Sequence, residues 1–250
     1  MTEDQQMRCL PWDACYNVRE LGGYPTHDGG QTRWQTLVRA DNLHRLTPQG
    51  QVALREYGVR TIIDLRLAHE LERHPNPFAV PQGSDDYPRY LNLPLLNLET
   101  DAAVEAAQPT QGEYIVIVER SKGHVAEVIN AVAAGLERGG VLVHCHGGKD
   151  RTGIVVALLL SLVGVPDEII AEDYALSEAM LEGPHLAWLE EQGRALEKPI
   201  WMYAPPQKMQ GLLDYLDREY GGPEEYLMTT GVTQSNIALI RKYLVVSDSA

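Results

Sequence analysis

Hydrophobic and polar positions follow two periods along this chain. Short apolar runs rich in β-branched residues occur at Leu37-Val38-Arg39, Thr61-Ile62-Ile63-Asp64-Leu65, Tyr90-Leu91-Asn92-Leu93 and Val141-Leu142-Val143-His144. Runs of this length bounded by turn residues read as buried strands. The segment Tyr16–Tyr24 reads as another short strand, ending in the turn Gly22-Gly23. Helical spacing fills the intervals. One helix starts at Thr47-Pro48, a capping residue followed by an N1 proline, and runs to about Tyr57 before Gly58; others cover Gly112–Arg120 and Lys122–Arg138. Beyond His144 only helices are predicted: Thr152–Val163, Pro166–Met180, Pro184–Glu197, Pro205–Tyr220, Pro223–Thr229 and Thr233–Leu244. Strands interspersed with helices, then helices alone, predict an α/β fold: a central, mostly parallel sheet flanked by helices, with a helical C-terminal part. Residues 1–250 read as a single domain, with 176–205 as a candidate helical lid.

Composition narrows the setting. With 250 residues, 44% of them hydrophobic, the chain can bury a substantial core. The apolar run Ile154–Val165 is shorter than the about 18 residues a membrane span needs, so no integral membrane segment is expected. Met1–Gln6 lacks the basic and apolar regions of a secretory signal. Three cysteines, an odd number, suit a reducing compartment. The expected location is cytoplasmic, with export as an effector left open. A net charge of −14 repels nucleic acid, so none is expected as a partner. A locally basic pocket for an anionic substrate is still compatible with that field, and the oligomeric state is not legible.

The chemistry is concentrated where the last predicted strand meets a helix. His144-Cys145-His146-Gly147-Gly148-Lys149-Asp150-Arg151-Thr152-Gly153 places a thiol, a glycine turn and a guanidinium in one concavity. A thiol attacks phosphorus only as the thiolate. The following helix N-terminus, the cations Lys149 and Arg151, and inward-facing loop N–H groups all favour that form of Cys145. The same N–H groups, from His146 to Gly153, would hold phosphate oxygens, and Arg151 adds a two-toothed fork. Gly147 and Gly148 are expected to keep Cβ atoms out of the turn and to allow positive φ. Thr152 is positioned to donate its hydroxyl to the sulfur as that sulfur leaves. Covalent phosphoryl transfer through phosphocysteine follows, with no metal and no cofactor required.

His-Cys-x5-Arg-Thr-Gly resembles the signature of the cysteine-based protein tyrosine and dual-specificity phosphatases. Its Gly-Lys-Asp-Arg form is similar to an atypical microbial branch acting on phosphotyrosine, phosphoserine or phosphothreonine and, in some members, phosphoinositides. Asn17-x-Arg19-Glu20-Leu21-Gly22-Gly23, Arg39-Ala40-Asp41-Asn42-Leu43, Ile63-Asp64-Leu65-Arg66 and Gly221…Tyr226-Leu227…Gly231-Val232-Thr233 also resemble that branch, which extends the likeness to about residues 14–244. The resemblance implies Cys145 as nucleophile, Arg151 as phosphate clamp and a phosphatase-type fold. The expected substrate is a phosphorylated protein, phosphotyrosine first, or a phosphoinositide. Lipid-directed members often carry lysine just after the cysteine, where this chain has His146. A catalytically weak phosphate-binding module is the competing class.

The proton donor is less defined, because no Trp-Pro-Asp occurs. Asp150, by resemblance a functional position, is the first candidate; its other reading is a brace that pairs with Arg66 or Arg19. Asp64 comes second, from its place at the C-terminal end of a strand. Asp85 and Asp86 read as solvated loop charges. His144 is expected to bond to the loop backbone rather than to join His146 in a metal site, since alternate strand residues face opposite sides. Cys9 and Cys15 read as incidental thiols, the alternative being a protective disulfide with Cys145. Trp188, Trp201 and Tyr203 read as packing residues, the alternative being a lid over the pocket. Gly148-Lys149-Asp150 does not fit a nucleotide-binding P-loop, for which the upstream glycine is missing and a hydroxyl should follow the lysine.

Overall fold

The fold was described from a computed structural model, covering residues 2–80, 87–106, 112–194 and 198–246. In chain order the first elements are α1 (Glu3–Arg8), β1 (Arg19–Glu20), β2 (Gln31–Thr32), β3 (Leu37–Ala40), α2 (Pro48–Glu56), β4 (Val59–Asp64), α3 (Ala68–Arg73) and β5 (Arg89–Asn92). There follow α4 (Leu98–Ala106), α5 (Gly112–Arg120), α6 (Lys122–Leu136), β6 (Gly140–His144) and α7 (Asp150–Leu162). The remainder is α8 (Asp167–Glu191), α9 (Pro206–Tyr220), α10 (Pro223–Thr230), α11 (Gln234–Leu244) and β7 (Val245–Val246).

The main sheet has the order β1-β3-β6-β4-β5, parallel except for the antiparallel edge strand β1. β6 is therefore central, and the residues that leave its C-terminal end emerge between the ends of β3 and β4. Alternation assigns its two faces: Val141 and Val143 join the large core under α6, α7 and α9–α11, whereas Leu142 joins a smaller core with Trp12, Leu54 and Phe78. Helix α2 starts as its sequence dictates, with Thr47 Oγ1 accepting from Gly50 N at 3.2 Å and Pro48 at N1.

Two helix boundaries differ from expectation. Helix α7 begins at Asp150, so part of the predicted loop is already its first turn. Helix α8 runs through Pro184 as one element, where two helices were expected. The helix is clamped from outside just before the proline: Lys198 Nζ bridges Glu178 at 2.5 Å and Glu182 at 3.0 Å, and Ala204 N donates to Glu178 at 2.7 Å. Those tertiary bonds offset the backbone hydrogen bond that proline removes.

Glu20 in β1 is fully buried and accepts from Tyr57 Oη at 2.6 Å, while its second oxygen has no partner among the described residues. Burial outweighs the Tyr57 bond and pushes its pKa up to about 7. A carboxyl whose pKa rises on folding favours the fold most below its ordinary value, and that contribution is lost as pH climbs through 7. Glu20→Gln is expected to melt above wild type near pH 8 and level with it near pH 4, as read by thermal melts at the two pH values.

Candidate active site

Cys145 follows β6 directly and is 3% exposed. The five carbonyls after it are each held away from the loop centre. His144 Nδ1 lies 3.1 Å from Cys145 O, Asn42 N donates to His146 O at 2.9 Å, and Asn17 Nδ2 donates to Gly147 O at 2.9 Å. Arg39 Nη2 donates to Gly148 O at 2.7 Å and to Lys149 O at 3.4 Å, the latter also accepting from Gly153 N at 2.8 Å. In a trans peptide the N–H points opposite to the C=O. Anchoring these carbonyls outward therefore turns the N–H groups of 146–150 inward, onto the N-terminus of α7.

Two buried ion clusters hold the anchors. Asp173 of α8 accepts from Arg19 Nε at 2.8 Å and Arg39 Nη1 at 2.5 Å, with Tyr24 Oη at 3.0 Å. Burial alone would raise the Asp173 pKa; the arginines outweigh it and hold the carboxyl ionised at about 2. Arg19 Nη1 in turn donates to Asn17 Oδ1 at 2.5 Å, which fixes the amide that holds Gly147. The second cluster is centred on Asp64. Its oxygens accept from Arg66 at 2.9 and 2.6 Å and from Tyr90 Oη at 3.0 Å, and lie 3.2 Å from His144 Nε2.

This geometry answers the question of Asp64. It is fully buried, and although burial raises its pKa, His144 and Arg66 lower it well below the usual carboxylate range. A carboxylate so held has no proton to give, so Asp64 acts as a brace behind His144. Asp150 is 40% exposed at the first turn of α7. Its Oδ1 accepts from Tyr114 Oη at 2.5 Å and lies 3.3 Å from Lys149 Nζ and 3.8 Å from Lys208 Nζ. Neither Arg66 nor Arg19 pairs with it: these guanidiniums serve Asp64 and Asp173. Asp85, Asp86 and the Trp188 side chain lie outside the described residues.

Arg151 Nη1 and Nη2 donate to both oxygens of Glu70 in α3, at 2.5 and 2.8 Å. Burial works against its charge, but Glu70 and the adjacent Cys145 raise its pKa beyond the ordinary value. Glu70 also accepts from Leu67 N at 2.9 Å, so the fork is set by a carboxylate that is itself fixed. Thr152 Oγ1 is buried and has no hydrogen-bond partner among the described residues. Cys15 Sγ donates to Asp41 Oδ1 at 2.9 Å, and all three cysteines are unpaired.

Lys149 does not face the loop centre. It is 4% exposed and donates to the carbonyls of Trp201 and, at 3.0 Å, Tyr203. It thereby fastens a 3-10 turn, Ile200–Met202, beside the loop. A cavity of about 310 Å³ opens there, lined by Asp150 and Arg151, by Tyr114 and Ile117, and by Trp201 and Tyr203. Roles for Glu70, Tyr114, Lys208 and Asp173 were missed in the sequence, where nothing in their spacing links them to the loop.

A thiol ahead of an anion-binding turn and a fixed guanidinium is the arrangement of a cysteine phosphatase. The tyrosine phosphatase family model matches residues 10–246. A tyrosine-protein phosphatase of Nostoc commune is 34% identical over 216 residues, covering 82% of this chain and 72% of that protein. The triple specificity protein phosphatase PtpB of Mycobacterium tuberculosis is 28% identical, covering 91% and 99%. The solved structure of P. aeruginosa TpbA aligns with a TM-score of 0.40 at 16% identity, covering 80% of this chain and 89% of that one. The chain belongs to the tyrosine phosphatase family and is an enzyme of the cysteine phosphatase type.

The two loop glycines differ. Gly148 has φ +64° and a Cβ there would sit 2.3 Å from Ala40 O, whereas Gly147 has no positive φ and its nearest neighbour would be Leu181 at 3.9 Å. The expectation that both need positive φ is corrected to Gly148 alone. Gly148→Ala is expected to lower the free energy of unfolding by about 2 kcal/mol or more, and Gly147→Ala by less than about 0.5 kcal/mol, in denaturant melts.

Proposed function

We propose that this enzyme hydrolyses phosphomonoesters by double displacement, with protein phosphotyrosine as its first substrate class. The observation that carries the reading is the set of five anchored carbonyls, with Cys145 at their start and Arg151 at their end. Inward N–H groups and Arg151 hold the phosphoryl oxygens as the Cys145 sulfur forms its bond to phosphorus and the bond to the ester oxygen breaks. Asp150 gives its proton to that leaving oxygen, and Thr152 donates to the sulfur. Water then attacks phosphorus and passes its proton to the Asp150 carboxylate, and the S–P bond breaks to release phosphate. Tyr114 holds Asp150 from behind, and the aromatic and apolar walls of the adjacent cavity suit a phenyl leaving group.

The name of the mycobacterial relative supports a range wider than phosphotyrosine. A phosphoinositide is less well supported, because His146 stands where lipid-directed members often carry lysine and the Lys149 ammonium is taken by two carbonyls. We read the described chain as one phosphatase domain in which residues 198–205 wall the leaving-group cavity. Three unpaired cysteines support a reducing location such as the cytoplasm.

Turnover of p-nitrophenyl phosphate and of a phosphotyrosine peptide with chelator present tests the reading. Wild type is expected to hydrolyse both and Cys145→Ser neither. Asp150→Asn should lower kcat on the phosphotyrosine peptide by about 10²-fold or more. Its effect on p-nitrophenyl phosphate should be much smaller, because nitrophenolate leaves with little help from an acid. Equal losses on the two substrates would remove Asp150 as the donor. An inert wild type whose Cys145→Ser form still binds the phosphopeptide would favour the binding module.

A further inference from the structure

Two phenols stand in line behind Asp150. Tyr114 of α5 and Tyr174 of α8 are both fully buried. Their hydroxyls lie 2.8 Å apart, and Tyr114 Oη reaches Asp150 Oδ1 at 2.5 Å. The rings meet edge to face, with centroids 6.0 Å apart and planes at 90°. Both rings are wedged in place. A Cβ on Gly153 would sit 3.1 Å from the Tyr174 ring, so that glycine lets α7 close on the ring. Lys208 Nζ, paired with Glu113, lies 4.4 Å from the centroid of the Tyr114 ring.

Proton counting sets the direction of this chain. A carboxylate only accepts, so Tyr114 commits its single proton to Asp150 Oδ1. Its oxygen is left to accept, and Tyr174 Oη is the donor it faces. Among the described residues Tyr114 is the only hydrogen-bond partner of Tyr174 Oη. Burial first, then the Asp150 charge, hold both phenols above their ordinary pKa, so both remain donors.

The surroundings also choose between the two oxygens when Asp150 carries a proton. Oδ1 faces Tyr114 Oη, with Lys149 Nζ at 3.3 Å and Lys208 Nζ at 3.8 Å. A proton on that oxygen would meet two cations and displace the Tyr114 donor. Oδ2 has no partner among the described residues, and Asp150 lines the leaving-group cavity. Helix α8 ties this arrangement to the loop. Asp173 and Tyr174 are consecutive, about 100° apart around the helix. Asp173 holds the guanidiniums that anchor the loop carbonyls, while Tyr174 reaches Asp150 through Tyr114.

We propose that Tyr174 is a positioning residue for proton transfer: through Tyr114 it holds the Asp150 carboxyl with its transferable proton on Oδ2, the oxygen left open to the leaving group. The assignment rests on the reading of Asp150 as proton donor. As the P–O bond breaks, the Oδ2 proton moves to the ester oxygen and both phenols keep theirs. The attacking water of the second step returns a proton to Oδ2.

Tyr174→Phe keeps the ring and removes the donor. It is expected to lower kcat on the phosphotyrosine peptide by about fivefold, the scale of one neutral hydrogen bond, with a much smaller change on p-nitrophenyl phosphate. Tyr114→Phe should show the same pattern with a larger loss. The ratio of the two rates, taken on one preparation, does not depend on the folded fraction. The same substitution is then made in Asp150→Asn. A residue that acts through Asp150 has no proton to position there, so the peptide rate should fall by less than about twofold further. A fivefold loss in both backgrounds, or equal losses on the two substrates, assigns Tyr174 to packing and overturns the proposal. No loss from Tyr174→Phe, where Asp150→Asn still discriminates between the substrates, overturns it too and leaves the donor reading intact. Equal losses from Asp150→Asn on the two substrates remove the donor, and the proposal with it.

Discussion

Two buried arginines share the carboxylate of Asp173, and the shape of the reactive loop depends on that sharing. Arg39 reaches from the sheet to the carbonyls of Gly148 and Lys149, and Arg19 fixes Asn17 against the carbonyl of Gly147. Asp173 keeps both guanidiniums in place from α8. The cluster holds two positive charges against one negative, so a net positive charge remains buried beneath the loop. That charge is costly without a partner, and breaking a buried pair of this kind typically costs about 3–5 kcal/mol. It also favours an anionic phosphoryl group in the loop.

The same economy of carboxylates explains why the acids have different roles. Asp64 and Asp173 are fully buried and surrounded by donors, so they stay ionised and brace the loop. Glu70 performs a similar task for Arg151 at the edge of the site. Asp150 alone of these acids combines substantial exposure with a place on the first turn of the loop helix, between a tyrosine and two lysines. Environment rather than residue type sets these bracing carboxylates apart from the more exposed one proposed above as the proton donor.

Much of this was legible in the chain. Strand β6, the turn and helix α7 lie within one stretch of sequence, and local pattern sufficed to bring Cys145 and Arg151 together. The alternation of apolar strands and helices likewise gave the α/β fold, and Thr47-Pro48 gave the start of α2. The bracing was not legible, because Asp173, Glu70 and Tyr114 lie far from the loop in sequence and meet it only through the fold. Asp64 was read as chemistry because a carboxylate at a strand end looks alike whether it faces a ligand or an arginine. The Lys149 side chain was read as a cation beside the thiol because its sequence position does not show that two carbonyls lie within its reach. Pro184 was read as a boundary because local propensity cannot register the clamp supplied by Lys198.

The central claim is that the anchored loop presents Cys145 as the atom that takes the phosphoryl group. Rapid acid quench of wild type during turnover of a good phosphomonoester, followed by peptide mass spectrometry, tests it most directly. A phosphoryl adduct on Cys145 that is absent from Cys145→Ser is the predicted result. Turnover at the same rate with no adduct on Cys145, or with the adduct on another residue, would contradict the account.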